Sequence, residues 1–256
     1  MSGKVYLIGA GPGASDLITV RGAEILRRAN IVFHDALVHP DTLALAANAE
    51  KIAVGKRCGK RSTAQRFINK RLVDAAHRHA VVVRLKGGDP MLFGRAQEEI
   101  AALQAAGIDY EVVPGVTAAL AASAELGVSL TQRGVSRSVT FVTPRVGDNE
   151  PDSEWVQSVL AADSAVLYMA AGQAAQIAAA LQTAGLAATT PVAVVENASL
   201  PEARRFHVSL ADLADAAQWQ ISGPAVIMLG EVFRQADAVS EEAVADSMVK
   251  RVGSRR

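Results

Sequence analysis

Lys4-Val-Tyr-Leu-Ile-Gly-Ala-Gly-Pro-Gly-Ala14 decides how the rest of the chain is read. An apolar run stopped by a glycine turn and followed by a helical pattern near residues 19–28 is the opening of a β–α unit with a buried strand. The alternation recurs. β-branched runs at 31–34, 51–54, 81–85 and 110–113 are separated by helical stretches at 63–79 and 96–106, the last closed by Gly107. These strands fit one mostly parallel sheet. The chain breaks at Pro114-Gly115, and a further helix is expected after Thr117, a suitable N-cap. A second set of strands is expected at 138–143, 165–169, 192–196, 205–208 and 225–229. Only residues 197–204 separate the third of these from the fourth, too few for a crossover helix, so the pair is a hairpin and the second sheet is mixed. The expected fold is α/β with two α/β domains, 1–114 and 115–235, followed by a polar tail at 236–256.

The composition supports a packed core. Of 256 residues, 50% are hydrophobic and 20% charged, which excludes a disordered or fibrous chain. Lys plus Arg (26) equals Asp plus Glu (26), so no net field marks a nucleic-acid or membrane binder. The single cysteine, Cys58, has no internal disulfide partner and points to a reducing compartment. The most apolar stretch, 165–181, is interrupted by Gly172, Gln173 and Gln176 and is too broken for a membrane span, and the N-terminal apolar run is too short for a signal peptide. A cytoplasmic protein is expected. The spacing of His, Cys and carboxylates contains no metal site.

Two glycine-rich segments imitate nucleotide motifs. Gly9-Ala-Gly-Pro-Gly-Ala14 reads as G-x-G-x-x-A, with Asp35 at the end of the second strand where a dinucleotide fold places an acid. Pro12, however, removes one of the N–H groups that would hold a pyrophosphate. Gly55-Lys-Arg-Cys-Gly-Lys-Arg-Ser62 resembles a Walker A loop but is one residue short between its glycines and has Arg61 after Lys60. That segment lies within residues 51–86, where eleven Lys/Arg stand against one carboxylate, Asp74. This is expected to form a local basic surface, either a solvated face or a site for a polyanion.

Val82-Val-Arg-Leu-Lys-Gly-Gly-Asp-Pro-Met-Leu-Phe-Gly-Arg-Ala-Gln-Glu-Glu99 is the most informative segment. A buried strand delivers Gly87, Gly88 and Asp89 to the carboxyl edge of the sheet, where open α/β sheets bind ligands. The two glycines allow a flat ligand to approach the main chain, while Asp89 can accept hydrogen bonds, pair with a cation or cap a turn. Arg95 and Glu98 lie three apart at a helix start, able to face one cleft or to pair with each other.

Taken with Asp16-Leu-Ile-Thr19, His34-Asp-Ala-Leu-Val38, Val54-Gly-Lys-Arg57, Val113-Pro-Gly-Val-Thr117, Thr131-Gln-Arg133, Ser138-Val-Thr-Phe-Val-Thr143, Leu167-Tyr-Met169 and Gly223-Pro-Ala225, these segments resemble the uroporphyrinogen-III C-methyltransferase family of tetrapyrrole methyltransferases. The resemblance runs from residue 5 to about residue 229. It implies S-adenosylmethionine as methyl donor, folded into a cleft between two domains, a tetrapyrrole substrate and a homodimer. Carried onto this chain, it implies donor contacts at Pro12, Gly87, Gly88, Asp89, Thr117, Ala118, Met169, Ala198 and Ala225. It implies substrate contacts at Arg133, Leu37, Phe93 and Tyr168, and catalytic roles for Arg95, Glu98 and Asp35. Core packing is the competing assignment for Met169. The chain departs from the family pattern at Ala14-Ser15, where an acidic residue and proline are common, at Ala96-Gln97, where two glycines are common, and at Gln132, where histidine is common. The last removes a histidine-based proton transfer beside Arg133.

The implied reaction suits these residue types. The family's substrate carries eight carboxylates, for which Arg95 and Arg133 are fitting bidentate partners. A pyrrole carbon attacks the sulfonium methyl, giving methylation at C2 and C7 and hence precorrin-2, and Glu98 or Asp35 is placed to take the proton then released. A dinucleotide-dependent oxidoreductase explains the first glycine turn and Asp35 but not residues 87–90 or 223–225. A simple anion-binding module explains only the basic segment, and a sister enzyme acting on a later corrin intermediate shares the same motifs.

Overall fold

The computed structural model describes residues 2–54, 65–145 and 153–235. It divides into two compact units, residues 1–121 and 122–256.

The first unit runs β1 (Lys4–Gly9), α1 (Val20–Arg27), β2 (Ile31–His34), α2 (Pro40–Ala44), β3 (Glu50–Ala53), α3 (Gln65–Ala76), β4 (Val81–Lys86), α4 (Ala96–Ala105), β5 (Tyr110–Val113) and the start of α5 (Ala118–Leu126). Its sheet has the order β3-β2-β4-β1-β5, and every pairing is parallel. β1 and β4 are central and covered on both faces, which is why their sequences are almost unbroken apolar runs. The period of two sends Val5, Leu7 and Val82 into one core with Leu72, Ile100 and Leu103 of α3 and α4. Tyr6, Ile8, Val83 and Leu85 enter the other core with Ile25 and Leu26 of α1. Thr19 caps α1 by accepting from the Gly22 N–H at 3.2 Å.

The second unit continues from α5 through β6 (Val139–Val142), α6 (Trp155–Leu160), β7 (Ser164–Tyr168), α7 (Ala174–Thr183), β8 (Pro191–Glu196), β9 (Arg204–Ser209) and β10 (Ala225–Gly230), with short 3-10 turns between. Its order is β6-β7-β10-β8-β9. Only β6 and β7 are parallel, and β8 and β9 form the antiparallel hairpin expected from their short connection. Leu167, Val194, Ile227 and Leu229 pack with Ile177 and Leu181 of α7, and Phe206 stacks on Trp219 at 4.9 Å.

The two sheets and their strand directions agree with the sequence reading. The tail from residue 236 and the Walker-like segment at 55–62 lie outside the described residues. No helix among the described residues is long and apolar enough to cross a membrane.

Candidate active site

In the first unit the carboxyl ends of β1, β4 and β5 meet main chain to main chain. A Cβ on Gly9 would lie 2.5 Å from the Gly115 Cα and 2.6 Å from the Gly88 carbonyl oxygen. The Gly11 and Gly88 N–H groups donate to each other's carbonyl, at 3.3 and 2.7 Å, and the Ala10 N–H donates to the Lys86 carbonyl at 2.7 Å. Two backbone donors of the first glycine turn, the Ala10 and Gly11 N–H groups, are therefore engaged by the end of β4. With no N–H at Pro12, that leaves fewer donors for a pyrophosphate.

The two glycines that follow β4 do different things. A Cβ on Gly87 would lie 3.0 Å from the Leu37 Cβ, so this position is small because Leu37 crosses it. Gly88 has φ of +66°, and a Cβ there would meet nothing closer than the Thr117 Cα at 3.9 Å. Gly88 is thus the place where main chain faces open space, beside the half-buried Pro12, Thr117 and Ala118. Asp89 caps rather than pairs: one oxygen accepts from the Met91 N–H and the other from the Gly115 N–H, both at 2.8 Å. Its carboxylate holds the turn, and its carbonyl accepts from the Leu92 N–H at 3.4 Å.

Residues 90–95 carry the aromatic and the arginine of the candidate site. Phe93 (φ 53°) and Arg95 (φ 54°) are both left-handed, a conformation that costs side-chain-bearing residues about 1–2 kcal/mol each. Gly94 between them must lack a side chain, since a Cβ would strike the Pro90 carbonyl and lie 3.1 Å from the Lys86 Cε. Arg95 immediately precedes α4 and meets Glu98 through two hydrogen bonds of 2.6 and 2.8 Å, both side chains exposed. Leu37 is 59% exposed, and Phe93 is also open to solvent.

The expected basic surface needs correction. Arg84 and Lys86 are only 2% and 3% exposed, because period two turns them with Val82 into the core beneath α3 and α4. There they meet Glu99, which is fully buried: Arg84 Nε donates to it at 2.8 Å and Lys86 Nζ at 3.0 and 3.1 Å. The second arm of Arg84 reaches Asp35 Oδ1 at 2.5 Å. Burial opposes the Arg84 charge, but Asp35 and Glu99 outweigh it and raise its pKa. Burial, and then the Arg84 charge, push the Lys86 ammonium below its ordinary 10.5, against the pull of Glu99. Sequence reasoning missed Glu99. The signal was present: two cations spaced by two inside a buried strand require a buried anion.

The second unit presents its candidates on three turns. Arg133 is exposed on a turn closed by reciprocal bonds between Gln132 and Ser136 of 2.9 and 2.8 Å. The buried Ser136 hydroxyl anchors that turn to the Leu130 carbonyl and to Ser164. After β7, Tyr168 meets Phe141 edge-on at 6.3 Å, and Met169 is left-handed and 47% exposed, which excludes core packing as its role. Ala198 is buried between left-handed Asn197 and Ser199 in the β8–β9 turn. The Asn197 N–H donates to the Pro224 carbonyl at 2.8 Å, tying that turn to the one before Ala225.

Glu196, buried at the end of β8, clamps both turns. It accepts from the Ser222 N–H at 2.7 Å, the Gly223 N–H at 2.5 Å and Arg204 Nε at 2.6 Å. Burial works to raise its pKa, but these donors prevail and hold it below the ordinary 4.5. Glu125 accepts from the Ser199 N–H at 3.2 Å and pairs with Arg205. Neither glutamate was singled out from the sequence. Of the six left-handed non-glycine residues among the described ones, Phe93, Arg95 and Met169 are candidate site residues, and Asn197 and Ser199 flank another. Strain gathered in this way is a mark of function. Among the described residues no cluster of three His, Cys, Asp or Glu is placed to hold a metal ion.

The chain is 43% identical over 242 residues to the uroporphyrinogen-III C-methyltransferase of Pseudomonas aeruginosa, spanning 94% of this chain and 98% of that protein. It is also 43% identical to the siroheme synthase of Chromobacterium violaceum, but spans only about half (51%) of that longer protein. Among solved structures, the Thermus thermophilus uroporphyrin-III C-methyltransferase complexed with S-adenosylhomocysteine matches with a TM-score of 0.80 at 38% identity, covering 91% of this chain and 99% of that one. Residues 4–214 match the family of tetrapyrrole (corrin/porphyrin) methylases, and the chain belongs to that family.

Proposed function

We propose that this protein is an S-adenosylmethionine-dependent C-methyltransferase that converts uroporphyrinogen III to precorrin-2 by methylation at C2 and C7, a step towards siroheme and cobalamin-type tetrapyrroles. The observation that carries this reading is the 43% identity to a uroporphyrinogen-III C-methyltransferase whose length the chain matches almost entirely. The donor's place fits what the first unit offers: Gly88 exposes main chain to open space, and the Asp89 carboxylate is already engaged in holding the turn. The second unit offers the open Met169 and the clamped turns at Ala198 and Ala225.

When bound, S-adenosylmethionine would supply a sulfonium methyl to a nucleophilic pyrrole carbon, with neutral S-adenosylhomocysteine as the leaving group. The chain's own work is to hold the acceptor. Arg95 stands at a helix start and Arg133 on a turn closed by Gln132 and Ser136, both exposed and able to meet carboxylates bidentately. Leu37, Phe93 and Tyr168 supply apolar and aromatic surface for a macrocycle. After methyl transfer the methylated carbon is quaternary, and the cationic ring system sheds a proton from another position, for which Asp35 and Glu98 are the candidate acceptors. Both already sit against an arginine, Asp35 on Arg84 and Glu98 on Arg95. We read the protein as a cytoplasmic homodimer, supported by the family resemblance and by its lone cysteine.

The test is incubation of the purified protein with S-adenosylmethionine and uroporphyrinogen III, with mass spectrometry counting the methyls added. Two added methyls are expected. No transfer, or transfer only to a later corrin intermediate, would overturn the assignment. Calorimetry is expected to show binding of S-adenosylhomocysteine and none of NADH, and light scattering to give twice the chain mass.

A further inference from the structure

One buried carboxylate organises two parts of the candidate site without touching either. Glu99 Oε1 accepts from Arg84 Nε, Lys86 Nζ and Gln65 Nε2, and Oε2 accepts from Lys86 Nζ. Each cation then leads elsewhere. Arg84 spans to Asp35 with one nitrogen, and with another it donates to the main-chain carbonyls of Phe33 and Leu85, at the ends of the two strands it joins. The Lys86 stem runs beneath Gly94, its Cε 3.1 Å from where a Cβ would stand, under the loop that holds Phe93 and Arg95 in left-handed conformations. From α3, Gln65 also bonds Asn69, whose side chain donates to the Glu98 carbonyl at 3.1 Å.

Such a network is a poor way to gain stability. Removing charges from water is costly, and apolar side chains of the same volume do as well or better. What apolar residues cannot do is hold a carboxylate at a chosen point on the strand edge. We propose that Glu99 is a positioning residue for methyl transfer: through Arg84 it fixes the Asp35 carboxylate, and through Lys86 it braces the loop that presents Phe93 and Arg95. This rests on the function proposed above. With Glu99 neutral, the two buried cations would be left with Asp35 alone.

The test compares wild type with Glu99→Gln, Glu99→Asp and the charge-balanced double variant Glu99→Gln/Lys86→Met. Thermal unfolding, S-adenosylhomocysteine affinity, and KM and kcat for uroporphyrinogen III methylation are measured on each. The double variant is expected to unfold near the wild-type temperature and to bind S-adenosylhomocysteine as wild type does. Its catalytic efficiency is expected to fall about tenfold to a hundredfold, the usual consequence of a site displaced by about an ångström. Glu99→Asp, which keeps the charge, is expected to recover part of that loss. A stable double variant with wild-type KM and kcat would overturn the proposal, showing Glu99 to be only a charge partner in the core. So would unfolding of both neutralised variants, or a loss of S-adenosylhomocysteine binding as large as the loss of turnover. Wild-type protein that transfers no methyl would overturn the functional reading first, and this proposal with it.

Discussion

Glu98 and Glu99 are neighbours on one helix, and each is bonded to an arginine, yet the two pairs have almost nothing in common. Glu98 and Arg95 meet in solvent, three residues apart, with two short hydrogen bonds and both side chains about half exposed. Glu99 and Arg84 meet in the core, with a lysine on the other side and Asp35 beyond. One step along an α-helix turns a side chain through about 100°, and here that step separates solvent from core. An exposed pair contributes little to the fold and remains available to a ligand, whereas a sealed one is a fixed part of the scaffold.

The strongest way to break this comparison is Glu99→Leu. It strands Arg84 and Lys86 in the core with Asp35 alone and is expected to cost about 3–5 kcal/mol in urea unfolding. A loss no larger than that of a surface substitution would mean that water reaches the network. Next in size is Arg133→Leu, which removes an exposed arginine of the kind Arg95 represents. Loss of a charge-assisted bond is expected to lower catalytic efficiency by about 1.5–3 kcal/mol, roughly tenfold to a hundredfold, while S-adenosylhomocysteine still binds. Wild-type substrate affinity should decline as salt is raised, and a flat response would remove the exposed arginines from substrate binding.

Gly88→Ala tests the main-chain part of the site, which belongs to neither pair. Its positive φ makes any side chain unfavourable by about 1–2 kcal/mol, and the new methyl enters the open space assigned to the donor. Weaker S-adenosylhomocysteine binding in calorimetry, with both ion pairs undisturbed in a crystal structure, is the expected outcome.

Glu98→Gln sharpens the contrast from the exposed side. Its effect on unfolding is expected to stay below about 0.5 kcal/mol, since the pair is open to solvent. If Glu98 orients Arg95, KM rises, and the double variant with Arg95→Leu is little worse than Arg95→Leu alone, because the two act as a unit. A fall in single-turnover rate of about 10²–10⁴ with unchanged binding would instead make Glu98 the proton acceptor.

The smallest effect concerns Glu196, the buried carboxylate of the second unit. Its pKa is held below 4.5, so the stability it contributes is complete above that value and is lost as pH falls through the lower folded-state value. Above pH 4.5 no change is expected. Below it, the Trp219 fluorescence should report loosening, since Arg204 bonds both Glu196 and the Trp219 carbonyl.

Strand positions, the hairpin and the change from a parallel to a mixed sheet were readable along the chain, because hydrophobic period and connection length are local properties. So were the segments that carry the candidate site, because turns that need glycine leave a compositional mark. Other features required the fold. Arg84 and Lys86 looked like surface charge beside Lys51 and Lys70, since counting charges ignores which face of a strand they occupy. Asp89 was readable as a ligand partner or as a turn cap, and the Gly115 N–H, 26 residues away on its carboxylate, decides for the cap. Gly87 looked like ligand space, whereas Leu37 lies across it. Asp35 meets an arginine 49 residues along the chain. Period and spacing act over a few residues and say which side chains turn inward. Which inward charge meets which is settled only when strands and helices distant in sequence are packed, because a buried ion must find its partner there or stay out of the core.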